Sequence, residues 1–205
     1  MRAKVVLLVC LEIILSLGVK SEFEHNFVFT SDSNSEDVKL ITKRDNMAAN
    51  NTQYQEQITE KDINLTRQCW VEVEKDYEGT GTLLFTELFT SFPDYIKIFS
   101  KLKSPGEDDI FKSPRFKKHM TTALLPSIGE MLNNLDKEEA LKKQLLEIGR
   151  THKRRNITKD NFENIKNVII KTLAIRFGDK FTPEMDTAWH KILTAGFSII
   201  YTTLE

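Results

Sequence analysis

The stretch Ser113-Pro114-Arg115-Phe116-Lys117-Lys118-His119-Met120-Thr121-Thr122-Ala123-Leu124-Leu125-Pro126 decides how the rest of the chain is read. A serine followed by proline is a helix start, because proline at the first helical position lacks only an N–H that would have no partner there. Beyond it Phe116, His119, Ala123, Leu124, Leu125, Ile128 and Met131 recur at three- and four-residue spacing, until Asn133-Asn134 breaks the pattern. A histidine therefore takes a place on the apolar side of a helix. Pro126 lies inside that helix, where it removes a backbone hydrogen bond and costs about 3 kcal/mol unless relieved. A kink is expected there, one turn beyond Ala123.

Working outward, the same periodicity repeats on both sides. Leu141, Leu145, Ile148 and His152 line one face of a following helix. Phe162, Ile165, Val168, Ile169, Leu173 and Ile175 mark another, closed by Gly178, and Thr182-Pro183-Glu184 caps a last one running to Tyr201. Toward the amino end, Thr59 with Asp62 three residues on reads as a helix cap, and Ile58 with Ile63 as its hydrophobic staple. That helix carries Ile63, Trp70, Val71 and Val73 and meets the Gly79-Thr80-Gly81 segment. Next comes an apolar run of Leu83, Leu84, Phe85, Leu88, Phe89 and Phe92, stopped by Pro93. Ser104-Pro105-Gly106-Glu107-Asp108 is a loop by its turn chemistry. No alternation of the strand period is present, so the class is all-α with about seven to eight helices.

Two of the four histidines, His119 and His152, thus end up on apolar helical faces 33 residues apart, with Phe99 six residues after Pro93 upstream of both. Two imidazoles facing an apolar slot beside an aromatic wedge suit a haem iron. On charge pattern alone His152 reads differently, as a solvent-facing residue among Arg150, Lys153, Arg154 and Arg155. His119 has the plain alternative of a helix-surface histidine, and Phe85 and Phe99 that of ordinary core.

The ordered set of these residues over 58–205 resembles the globin family. Trp70 is similar to the family's first-helix tryptophan, and residues 73–81 to the turn between its first two helices. Gly81 is similar to the glycine at which two of its helices cross closely. Pro93 and Phe99 resemble the corner whose phenylalanine packs on the haem. Phe116-Lys117-Lys118-His119 resembles the distal segment and Gly149-Arg150-Thr151-His152-Lys153 the proximal one.

The resemblance implies a globin fold around a pocket for haem b, and it turns the reading of His152 to that of iron ligand. His119 becomes the distal residue, with Leu145 and Ile148 against the porphyrin, Phe99 in contact with it and Phe85 overlooking the ligand. Ala123, smaller than the residue usual there, leaves room beside the iron. A distal imidazole N–H donates to a polarised diatomic ligand, and a hydrogen bond of that kind contributes about 1.5–3 kcal/mol. That is roughly ten- to hundredfold in dioxygen affinity, with little effect on carbon monoxide. An alternative keeps His119 but lets it bind the iron directly. The implied function is reversible dioxygen binding for transport, storage or scavenging. Haem enzymology or sensing with nitric oxide, nitrite or peroxide is the alternative, and the absence of a reductase or flavin motif weighs against it.

The remainder of the chain sets the compartment. Arg2 and Lys4 precede an apolar run over residues 5–19, with small-residue cleavage positions after Gly18 and after Ser21. This is signal-peptide anatomy, too short to span a bilayer comfortably, and residues 1–20 are read as a signal. Residues 21–57 are polar and patternless, a flexible extension that cannot offset the entropy of its own ordering. The expected product is a secreted, single-domain globin of the extracellular invertebrate type, folded over 58–205 and without stable membrane insertion once the signal is cleaved.

That domain is of a size that buries about 68–70% of its unfolded surface without staples. With Cys10 in the signal, Cys69 alone remains, and beside Trp70 it reads as a small buried thiol. Net charge is −1 with no basic stripe along a helix, so nucleic acid is not an expected partner. A homo-oligomer stays open, because an apolar helix face serves core and subunit contact alike. Asn50, Asn64 and Asn156 head N-glycan sequons, of which the first, in the loose extension, is the most credible.

Overall fold

The computed structural model describes residues 58–205. The signal segment, the polar extension, Cys10 and the Asn50 sequon lie outside the described residues. Those described form α1 (Glu60–Glu74), α2 (Tyr77–Ser91), a one-turn α3 (Tyr95–Ile98), α4 (Pro114–His119), a π-helical turn (Met120–Leu124), α5 (Leu125–Asn133), α6 (Glu138–Lys153), α7 (Lys159–Phe177) and α8 (Pro183–Tyr201). Short 3₁₀ turns fill the connections, and no strand occurs among the described residues, so the all-α class is observed. No described helix is long and apolar enough to cross a membrane.

Local chemistry sets most boundaries where the sequence places them. Thr59 and Asp62 form a capping box: the Asp62 N–H donates to Thr59 Oγ1 at 3.1 Å and the Thr59 N–H to Asp62 Oδ2 at 2.7 Å. Pro93 ends α2 at Ser91, with Phe92 leaving helical geometry at φ −135°, ψ 77°. Gly178, at φ 51°, closes α7, and Thr182 Oγ1 accepts from the Met185 N–H to open α8. In the loop, Pro105 precedes Gly106 at φ 77°, and the Glu107 N–H closes the turn on the Ser104 carbonyl at 3.1 Å.

Three local expectations need correction, and the disturbance expected at Pro126 takes a specific form. The Gly79-Thr80-Gly81 segment lies inside α2; the chain turns earlier, at Lys75 and Asp76, where Asp76 Oδ1 accepts from the Gly79 N–H at 2.8 Å. Ser113 precedes α4 and its carbonyl accepts from the Lys117 N–H at 3.0 Å, but its side chain makes no capping bond. It is fully buried, and its hydroxyl donates to the Leu102 carbonyl at 2.6 Å, stitching the preceding loop instead. Val71 and Ile175 are about half exposed rather than core. At Pro126, the helix relieves the missing N–H a turn early. The Leu125 N–H reaches back five residues to the Met120 carbonyl, making the π-helical turn that contains Ala123. The hydroxyls of Thr121 and Thr122 donate to the carbonyls of Lys117 and Lys118, four residues back, a pattern that bends helices.

Helix α8 is the hub, packing on α1, α6 and α7, while α2 crosses α7 and the π-helical turn. Trp189 on α8 is fully buried and meets Trp70 on α1, ring centroids 5.8 Å apart. A buried ion pair, Lys191 to Asp62 at 3.6 Å, joins the same two helices. Cys69 is free and buried as expected, its thiol pushed up to about 11 chiefly by burial. Gly81 sits where α2 meets the π-helical turn. A Cβ there would stand 3.1 Å from the Cβ of Met120 and 3.5 Å from Leu125, so glycine is what permits the crossing.

Candidate functional site

Two groups of side chains, one on each histidine, make up the site. The first is built at the end of α6. Gly149 lets α6 close onto the end of α8: a Cβ there would be 2.9 Å from the Ile200 carbonyl. One turn on, His152 is half-buried, with its Nδ1 2.7 Å from the Ile148 carbonyl. A carbonyl only accepts, so Nδ1 carries the proton and Nε2 keeps its lone pair. The Thr151 hydroxyl donates to the same carbonyl at 2.8 Å and lies 3.4 Å from Nδ1. Phe162, on α7, presents its ring edge-on to the imidazole at 5.2 Å. Leu145 is fully buried and Ile148 half-buried on the same helix.

Residues 153–158 lock the end of that helix. The Ile157 N–H bonds the His152 carbonyl at 3.2 Å and the Asn156 N–H bonds the Lys153 carbonyl at 2.9 Å. With Asn156 at φ 58° this is a Schellman motif, the left-handed residue closing the helix. Two residues later Thr158 opens α7 with a capping box to Asn161.

The second group is aromatic. Phe85, on α2, is 1% exposed and packs edge-on against Phe116 at 4.7 Å and Phe99 at 5.0 Å. Phe89 and Phe111 extend the cluster. His119, the last residue of α4, is half-buried beside it, its ring 6.0 Å from Phe99 and 6.5 Å from Phe85. It makes no hydrogen bond to a described residue. Ala123 is exposed, since the π-helical turn takes the 119-to-123 spacing off the α-helical repeat.

Electrostatics link the two groups. Burial holds the His119 imidazole below its ordinary range, and positive charge on His152 and Arg155 lowers it further. Burial also depresses His152, opposed by the bond to Ile148, with Arg155 again lowering it. Both rings are therefore neutral at neutral pH, with lone pairs available. The arrangement joins a neutral imidazole of fixed tautomer to an apolar flank of Leu145 and Ile148. A wall of phenylalanines stands beside a second imidazole. That donor set fits a haem, whose iron takes a neutral imidazole nitrogen and whose ring takes apolar neighbours.

Thus His152, Leu145 and Ile148 come together on α6, and His119, Phe85 and Phe99 come together at the aromatic cluster. Sequence reasoning gave Phe162 and Thr151 no role at the site and took Arg155 only as a sign of solvent exposure at His152. Phe162 reaches His152 only because residues 153–158 reverse the chain. Thr151, a hydroxyl next to a helical histidine, was the readable signal of the three.

A family model described as Globin matches residues 82–200, a span that holds both histidines and runs from within α2 to within α8. The chain is similar to neuroglobin of Dissostichus mawsoni, 28% identical over 147 residues, or 70% of this chain and 92% of that protein. It is similar to cytoglobin-2 of Danio rerio, 26% identical over 142 residues, covering 68% and 79% of the two chains. It is also similar to myoglobin of Danio rerio, 32% identical over 118 residues, covering 57% and 78%.

Proposed function

This chain belongs to the globin family, and from that premise we propose that it is a secreted haem protein that binds dioxygen reversibly, for transport, storage or scavenging. Haem binding follows from the family; haem b is the form we propose. A bound haem would supply an iron able to take up a small diatomic ligand. His152 Nε2 would hold the iron, and the Ile148 carbonyl and Thr151 hydroxyl orient the ring. Leu145, Ile148 and Phe99 would flank the porphyrin and exclude water. Phe85 fills space on the ligand side without donating a hydrogen bond. His119, neutral at neutral pH, can donate an N–H toward the ligand, worth about 1.5–3 kcal/mol. Ala123, exposed and displaced by the π-helical turn, is given no part in shaping that side. The signal-like residues 1–20 support export, and with it the extracellular invertebrate type.

The 2.7 Å bond from His152 Nδ1 to the Ile148 carbonyl carries this reading. A solvent-facing histidine has no need of a fixed tautomer; a ligand does. The optical spectrum of the purified, reduced protein tests it. A Soret band with a five-coordinate ferrous signature is the expected result, and a colourless protein that takes up no haem overturns it.

A second reading, with His119 as the other iron ligand and a redox or sensing role toward nitric oxide, nitrite or peroxide, is favoured by one observation. His119 is tethered by no hydrogen bond to a described residue and borders the π-helical turn. A six-coordinate ferrous spectrum would select it.

A further inference from the structure

We propose that Asn156 carries an N-linked glycan whose first sugars lie in the groove beside it. The proposal rests on the reading that the chain enters the secretory pathway. Asn156-Ile157-Thr158 is a sequon, and the two polar residues have structural uses of their own: Asn156 supplies the left-handed residue that ends α6, and Thr158 caps α7. Those uses account for the residue types but leave the Asn156 side chain idle. It is exposed and its amide makes no hydrogen bond to a described residue. By contrast Asn161 and Asn164 both donate their amides to the Tyr95 hydroxyl, at 2.8 and 2.7 Å. The Asn64 sequon differs as well. It lies within α1, and its Thr66 is fully buried with the hydroxyl donating to the carbonyls of Asp62 and Ile63.

The second observation is the surface beside Asn156. A groove of about 420 Å³ opens there, lined by Lys153, Ile157, Thr158, Lys159, Tyr201 and Leu204. It sets the apolar side chains of Ile157 and Leu204, and a Tyr201 ring carrying the Lys159 ammonium 5.2 Å from its centroid, beside polar groups, a mixture that suits the apolar face and hydroxyls of a sugar. In the modification, Asn156 Nδ2 attacks the anomeric carbon of a lipid-pyrophosphate-linked oligosaccharide. The N–C bond forms, the bond from that carbon to the pyrophosphate oxygen breaks, and the lipid pyrophosphate leaves with the proton that Nδ2 gives up.

The test is expression of the full chain, with its own leader, in an animal secretory cell line. Peptide-N-glycosidase treatment of the secreted protein should increase its gel mobility and convert residue 156 to aspartate by mass spectrometry. Asn156→Gly keeps the left-handed position and Thr158→Asp keeps the helix cap, so both should fold, leave the medium and lack this glycan. Thr158→Ser should retain it. Enzymatic removal of the glycan should raise tryptic cleavage after Lys159 severalfold; an unchanged rate overturns the groove assignment. Secreted protein with an unmodified Asn156 overturns the site while leaving secretion intact. Retention of an unglycosylated chain in the cytosol overturns both.

Discussion

The two histidines are held by different physics. His152 is fixed by a hydrogen bond to its own helix, by a hydroxyl sharing the same carbonyl, by an edge-on phenylalanine, and by a helix end closed within a few residues. His119 rests beside phenylalanine rings, with no hydrogen bond to a described residue, at a point where the helix changes its repeat. Directional bonds set a tautomer and an orientation; ring packing sets only a neighbourhood. In the proposed function His152 is therefore the firmly held donor and His119 the adaptable one, the division of labour expected of an anchor and a tuner.

The largest effect that would break this contrast is at the anchor. His152→Ala should abolish haem retention, read as loss of the Soret band after gel filtration, whereas His119→Leu should keep the band. Equal loss in both variants would erase the asymmetry. Next, His119→Leu should speed dioxygen dissociation roughly ten- to hundredfold, the kinetic face of a hydrogen bond of about 1.5–3 kcal/mol, with carbon monoxide dissociation little changed by stopped flow.

Gly81→Val tests whether the setting of His119 depends on the close crossing beneath it. The added atoms would press on Met120 and Leu125, and urea unfolding should report a loss of about 1–3 kcal/mol. Thr151→Val should be milder, about 0.5–1.5 kcal/mol, since it removes one neutral hydrogen bond. It should also broaden the imidazole Nδ1–H resonance of His152, and an unaltered resonance would mean the hydroxyl plays no part in orienting the ring.

The smallest effect concerns pH. Both imidazoles are held below their ordinary value of 6.5, chiefly by burial. Just below pH 6.5 the unfolded chain therefore binds more protons than the folded one, and stability of the haem-free protein falls as pH drops. Above 6.5 both states are neutral and the full stability is present. Urea midpoints at pH 7.5 and 5.5 should differ in that direction, and His119→Gln should shrink the difference.

The order of helices was legible because each carries its own punctuation: the Thr59–Asp62 box, Pro93, Pro114, Gly178 and Thr182 act within a few residues and need no tertiary context. Both histidines stood out as members of apolar periods, but their roles came from the family resemblance, since charge pattern alone made His152 a solvent-facing residue. What was not legible depends on long-range or cooperative choices. Pro126 announced a disturbance but not that it would be absorbed one turn earlier, since a lost N–H can be met by a kink or by a wider turn. Ser113 had two possible partners and took the loop carbonyl. Phe162 meets His152 only after the chain reverses through Asn156, a left-handed position that a sequon reading obscures.

The wide turn at Met120–Leu124 also acts as a phase shifter. Housing one residue more than an α-helical turn, it offsets everything before it from everything after it by about 100° of rotation. Deleting a single residue there would restore the ordinary repeat and swing His119 around the axis, away from the phenylalanines, while Leu125–Asn133 stayed seated. The aim of one imidazole is in that sense encoded by a proline seven positions away.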